Sequence, residues 1–186
     1  LKYQAACFLI ENMPDQYAVL PLDSTDTYAR ALLSLDKEDP VSWEISRSLV
    51  AAVFDSISKI QPESRIKIVR DIEVMTSDYL IENIESAFKV WNRRGVAKHY
   101  SFDDFCSYVL PYRVAHEPLS HWRRTALQRY GHWLDSLNAP QDIARSIAMR
   151  YPVRYNAGMT KYPYIMSYEE MDSLQWGTCD AVSYTH

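Results

Sequence analysis

The chain has 186 residues, enough for one domain or for a domain with an appendage. Charged residues make up 24% and apolar residues 47%, the balance of a folded globular chain rather than a disordered one. The net charge of −4 is spread along the chain with no basic block, which argues against nucleic acid or an anionic membrane surface as partner, and no apolar run is long enough for a membrane span.

Four glycines are few for a sandwich or barrel, which use glycine at turns and bulges, so the composition favours helices. Fourteen tyrosines and five tryptophans are many for a helical chain, and most are expected in packing. The three cysteines, Cys7, Cys106 and Cys179, are widely spaced, and no Cys-x-x-Cys occurs. A disulfide framework or a zinc knuckle is therefore not expected. No signal peptide is visible, but the opening LKYQAACFLIENM has the texture of mid-helix, so a leader upstream is expected.

In chain order, YQAACFLIENMP places Tyr3, Ala6, Cys7, Ile10 and Met13 on one helical stripe that Pro14 ends. Ser24 or Thr25 can cap a short helix over DTYARALLSL. Asp39 and Pro40 suit the cap and first position of the next helix, whose buried stripe is Trp43, Ser46, Val50, Val53, Phe54 and Ile57. SRIKIVRDIEVM alternates briefly and fits strand or helix. TSDYLIENIESAFKVWNRRG is a helix with Leu80, Ile81, Ile84, Ala87, Phe88 and Trp91 on one face and Gly95 as its C-terminal cap.

Ser101 and Asp104 form a capping-box pattern ahead of FDDFCSYVL, with Cys106 on the apolar face, and Pro111 ends that run. Trp122, Leu127, Tyr130, Leu134 and Leu137 recur at helical spacing, and PQDIARSIAMRYP gives one more helix. Arg123, Arg124 and Arg129 are expected on a solvated, ion-paired face. From Tyr151 the texture changes to a proline- and tyrosine-rich connection, expected to pack on the body, followed by a second capping box at Ser167 and Glu170. The expected organisation is a helical domain over 1–150, then a connection and terminal motif over 151–186. The expected fold class is mainly α, an irregular array of six to eight helices.

The terminal motif is Trp176-Gly177-Thr178-Cys179. With Thr178 as a helix cap, Cys179 falls in the first helical turn. There the dipole and unpaired N–H groups favour thiolate and can hold an oxyanion. That is the physical requirement of a cysteine nucleophile served by a histidine from elsewhere in the fold. A lone Gly-x-Cys does not by itself separate a nucleophile from a buried thiol. His186, at i+7, lies roughly 10 Å along a continuing helix, too far to act as base. His99, His116, His121 and His132 are the upstream histidines. In HEPLSH the two histidines are five apart with Pro118 between them, so the zincin spacing of four is not met and no metal or cofactor is expected.

GTCDAVSYTH resembles the nucleophile segment of the transglutaminase-like superfamily of papain-like cysteine enzymes. AACFLIENMP, YLIENIESAFKVW and above all DFCSYVLPYRVAHEPLSHWR resemble the helical N-terminal regions of large transglutaminase-domain proteins of Bacteroidetes. The resemblance runs from residue 4 to the end. It implies a cysteine protease, amidase or acyl transferase with Cys179 as nucleophile, acting on a protein or peptide substrate and exported to the periplasm or cell surface. It also implies a histidine and an aspartate downstream of the cysteine, so the partner expected for this chain is the remainder of the catalytic core of the same parent protein. The string LPYR…EPL…WR, residues 110–123, is its longest motif and carries no catalytic role. Its expected role is structural or interdomain. The alternative, of another class, is a noncatalytic helical module binding a protein or glycan partner, with Cys179 inert.

Overall fold

A computed structural model describes residues 1–22, 26–34, 43–60, 66–92, 100–134, 137, 139–150, 153–162 and 164–178. The fold is mainly α, as the composition indicates. In order, the chain forms α1 (Lys2–Asn12), β1 (Tyr17–Pro21), α2 (Asp26–Leu33), α3 (Trp43–Ile60), β2 (Ile66–Arg70) and the one-turn α4 (Asp71–Val74). Then come α5 (Ser77–Trp91), the one-turn α6 (Phe102–Asp104) continued by a π-helical turn over Phe105–Val109, α7 (Trp122–Leu134) and α8 (Pro140–Arg150). The last part is β3 (Arg154–Tyr155), a 3₁₀ turn over Ala157–Lys161, α9 (Tyr168–Leu174) and β4 (Trp176–Gly177).

Two small sheets interrupt the helices. β1 and β2 pair antiparallel, with Val19 opposite Ile68, so IKIVR is a strand and the helix begins at Asp71. β3 and β4 pair parallel, Arg154 beside Trp176 and Tyr155 beside Gly177. The capping boxes at Ser101/Asp104 and Ser167/Glu170 both form, each side chain taking up the other's orphan N–H.

Packing divides into three clusters. The first joins α1, α5 and the π turn through Ala5, Leu9, Met13, Ile84, Phe88 and Phe105, with Cys106 buried among them. The stripe expected on α1 is rotated: Ala5, Leu9 and Met13 are buried, while Tyr3 is 81% and Ile10 56% exposed. The physical reason is close approach. Ala5 and Ala87 are both fully buried in this cluster, and small side chains let two helices meet where larger ones would hold them apart. On α5, Ile81 is likewise exposed, while Ile84, Ala87 and Phe88 are buried.

The second cluster joins α2 and α3 to the run after α8: Tyr28, Val50, Phe54 and Ile57 meet Met159, Tyr162, Met166, Leu174 and Trp176. Rings of Tyr28, Phe54 and Tyr162 stand 5.2–5.7 Å apart. Here the 3₁₀ turn presses on α3. A Cβ on Gly158 would lie 2.7 Å from the Arg47 carbonyl oxygen, so only glycine fits without a backbone shift. The third cluster ties α7 to α9 through Tyr168 and Met171 against Trp122, Ala126 and Tyr130. Between the same helices the carboxylate of Asp172 accepts from the Tyr130 hydroxyl at 2.8 Å and pairs with Arg129. The expected caps Ser24, Thr25, Asp39, Pro40 and Gly95 lie outside the described residues.

Candidate functional site

The approach to the terminal motif is built stepwise. The Ser167/Glu170 box starts α9, and Met171 and Leu174 bury its inner face. Gln175 ends the helix in the left-handed region at φ 59° and returns its N–H to the Met171 carbonyl at 2.7 Å. Trp176 and Gly177 are then buried as β4, and the Gly177 carbonyl accepts from Asn156 N–H at 2.9 Å. Thr178 is half-buried. Cys179, His186 and His99 lie outside the described residues.

Of the described histidines, His116 and His121 have partners of their own. The His116 ring stacks on Tyr17 at 4.0 Å, its carbonyl accepting from Val19 N–H on the outer edge of β1. His121 Nδ1 lies 2.7 Å from a Glu82 carboxylate oxygen. His132 is exposed in the last turn of α7. HEPLSH therefore sends its two histidines to different partners, and among the described residues no group of three potential metal ligands comes together. Cys106 does not offer a nucleophile: burial pushes its thiol pKa up, and the nearby Asp103 charge adds to this.

The densest chemistry lies in the string 110–123. Asp71, fully buried at the start of α4, faces Arg113, which donates to it twice: Nη2 to Oδ1 at 2.5 Å and Nε to Oδ2 at 2.8 Å. Arg113 Nη1 also donates to the Glu117 carbonyl. The buried Glu117 carboxylate accepts from the Val114 and Ala115 N–H groups at 2.9 and 2.8 Å, closing the loop on itself. Asn83 of α5 donates to the Leu110 carbonyl at 2.8 Å. Arg123 Nη2 donates to the Pro111 carbonyl at 2.8 Å, and Trp122 Nε1 to the Tyr112 carbonyl at 3.0 Å. Side chains thus take up the carbonyls of Leu110, Pro111, Tyr112 and Glu117 and the N–H groups of Val114 and Ala115, as burying an irregular loop requires.

Arg123 is the exception to the expected solvated arginine face, because it is 9% exposed while Arg124 and Arg129 remain exposed and ion-paired. Its Nε donates to Asn83 Oδ1 at 3.2 Å and its guanidinium lies 4.5 Å from the Trp122 ring centre. Burial lowers its pKa to about 10, partly countered by Tyr79. The Tyr79 hydroxyl donates to the Ser120 carbonyl at 2.8 Å, and burial pushes its pKa well above the ordinary tyrosine range. Between α5 and the start of α7 these side chains border a shallow depression lined by Tyr79, Glu82, Asn83, His121, Arg123 and Arg124. Sequence reasoning missed Asp71 and Asn83, whose partners are around 40 residues away and leave no local pattern. No helix is long and apolar enough to cross a membrane among the described residues. Comparison with protein-family models, with characterised proteins and with solved structures returns no match to this chain.

Proposed function

We propose that this chain carries the nucleophile segment of a transglutaminase-like cysteine enzyme, a protease, amidase or acyl transferase, with Cys179 as nucleophile. The Cys179 thiolate adds to an amide carbonyl carbon, and N–H groups beside it take up the oxyanion. Collapse expels the amine, which leaves with a proton from the general acid, and a thioester remains. Water or a second amine then resolves the thioester. The base that accepts the thiol proton is a histidine downstream of the cysteine, oriented by an aspartate, and the helical part is the scaffold on which this core is assembled. The observation that supports the reading is the anchoring of the residues leading into Cys179. Trp176 and Gly177 are buried in a strand pair, and the half-buried Thr178 follows them directly.

The second reading, a noncatalytic helical module for a protein or glycan partner, is favoured by the engagement of His116 and His121 with Tyr17 and Glu82. Alkylation of Cys179 followed across pH separates the two, on this chain and on a longer chain that includes the downstream histidine and aspartate. The first reading expects a thiol pKa depressed below about 8.5 that falls further in the longer chain. An ordinary thiol in both would overturn it and leave the helical module.

A further inference from the structure

We propose that the depression between α5 and the N-terminus of α7 is a binding site for a single oxyanionic group, a phosphate or a carboxylate. Three observations converge on it. Arg123 lines the depression and is nine-tenths buried, yet its hydrogen-bond partners, the Asn83 side-chain oxygen and the Pro111 carbonyl, are neutral. Among the described residues no carboxylate pairs with it, in contrast to Arg113, whose charge Asp71 matches within hydrogen-bond distance. A guanidinium has five N–H donors, more than these two acceptors satisfy. A buried cation without a counter-ion is costly, and an anion arriving from solvent removes that cost.

The second observation is the surrounding charge. Arg124 and His121 stand on the same rim and share one acid, Glu82, at 2.8 and 2.7 Å. Two guanidiniums therefore face one carboxylate, and the depression carries surplus positive charge before any protonation of His121. The third is the backbone. α7 runs 13 residues from Trp122 with no acidic residue of its own in its first turn, so the carboxylate at its start is Glu82, reaching over from α5, and an arriving anion would compete with it for the positive end of the helix. The depression holds about 10 Å³, the room of one water molecule, so an oxyanion would sit at its mouth with one oxygen reaching in. No residue lining the depression belongs to the terminal motif, and this inference does not depend on the role of Cys179.

The test is a titration of the full isotope-labelled chain with sodium phosphate, sodium acetate or sodium chloride at constant ionic strength. The Arg123 side-chain Nε–Hε resonance and the backbone amides of 122–124 are followed by NMR. Saturable shifts with phosphate, with acetate or with both are expected, and the pattern identifies the preferred oxyanion. Arg123→Met is expected to abolish the effect. Because that variant loses buried hydrogen bonds, the deciding variant is Glu82→Gln. It keeps an acceptor for Arg124 and His121 but removes the competing negative charge. Affinity is expected to rise about fivefold, the size of one partly screened charge interaction at this range. Non-saturating shifts equal to those in chloride, or an affinity unchanged or weakened in Glu82→Gln, would overturn the proposal.

Discussion

Asp71 and Arg113 form a two-pronged ion pair in which both side chains are almost wholly buried, joining the start of α4 to the loop that follows the π turn. Removing one partner leaves an uncompensated charge in the interior, whereas replacing both by apolar residues removes the need for a counter-ion. Asp71→Ala is expected to destabilise the chain by about 3–5 kcal/mol. The double variant Asp71→Leu/Arg113→Met is expected to recover a substantial part of that loss. Urea denaturation of the two variants checks this, and equal losses would show that shape rather than charge governs the pair.

Gly158 sits where the 3₁₀ turn meets α3. The atom nearest to an added Cβ is a backbone oxygen, which cannot turn aside as the end of a long side chain could. Gly158→Ala is expected to cost about 1–3 kcal/mol, the range of overpacking in a full core. A midpoint of unfolding unchanged from the parent chain would mean the turn can lift off α3 without loss.

Gln175 makes the opposite prediction. It holds the left-handed conformation that costs a side-chain-bearing residue roughly 1–2 kcal/mol, and glycine avoids that cost. Gln175→Gly is expected to leave stability unchanged or raise it by up to about 1 kcal/mol, the gain being reduced by the greater freedom of glycine in the unfolded chain. Loss of stability in thermal unfolding would point to a role for the glutamine side chain.

Alkaline pH probes the buried phenols. Burial raises Tyr79 and Tyr112 above the ordinary value of 10.0, so the unfolded chain releases these protons first. Their contribution is present below pH 10 and is lost as pH rises past it. Arg123 works in the other direction, since its pKa is lowered to about 10 from 12.5 and the unfolded chain holds that proton longer. Two phenols oppose one guanidinium, so stability is expected to fall with pH above about 10. Denaturation midpoints on either side of that pH measure the slope, and Tyr79→Phe is expected to make it shallower.

The features legible in the sequence were those with local causes. Ser101 with Asp104 and Ser167 with Glu170 start helices because a cap needs only residues three apart. Pro14 and Pro111 mark boundaries for a similarly local reason. The buried face of α1 was not legible, because Ile10 and Leu9 are equally apolar on neighbouring faces, and the choice between them was made by the close approach of Ala5 to Ala87 on α5. β1 escaped because a two-stranded ribbon is stabilised by its partner some 50 residues on, not by its own alternation. Within the string 110–123, a structural role was legible, but the partners Asp71 and Asn83 were not. Nor was the burial of Arg123, whose neighbour Arg124 has the same chemistry and stays exposed. The placement of Cys179 lies outside the described residues.

The parallel pairing of β3 with β4 has a consequence for position. Along an unsupported chain, uncertainty in where a residue sits accumulates with every rotatable bond. Here it is reset. Asn156 and Gly177 are joined by a backbone hydrogen bond, and Trp176 shares a core cluster with Val50 and Phe54. Thr178 therefore takes its coordinates from α3 through two steps of packing, rather than from the end of α8 through a long walk.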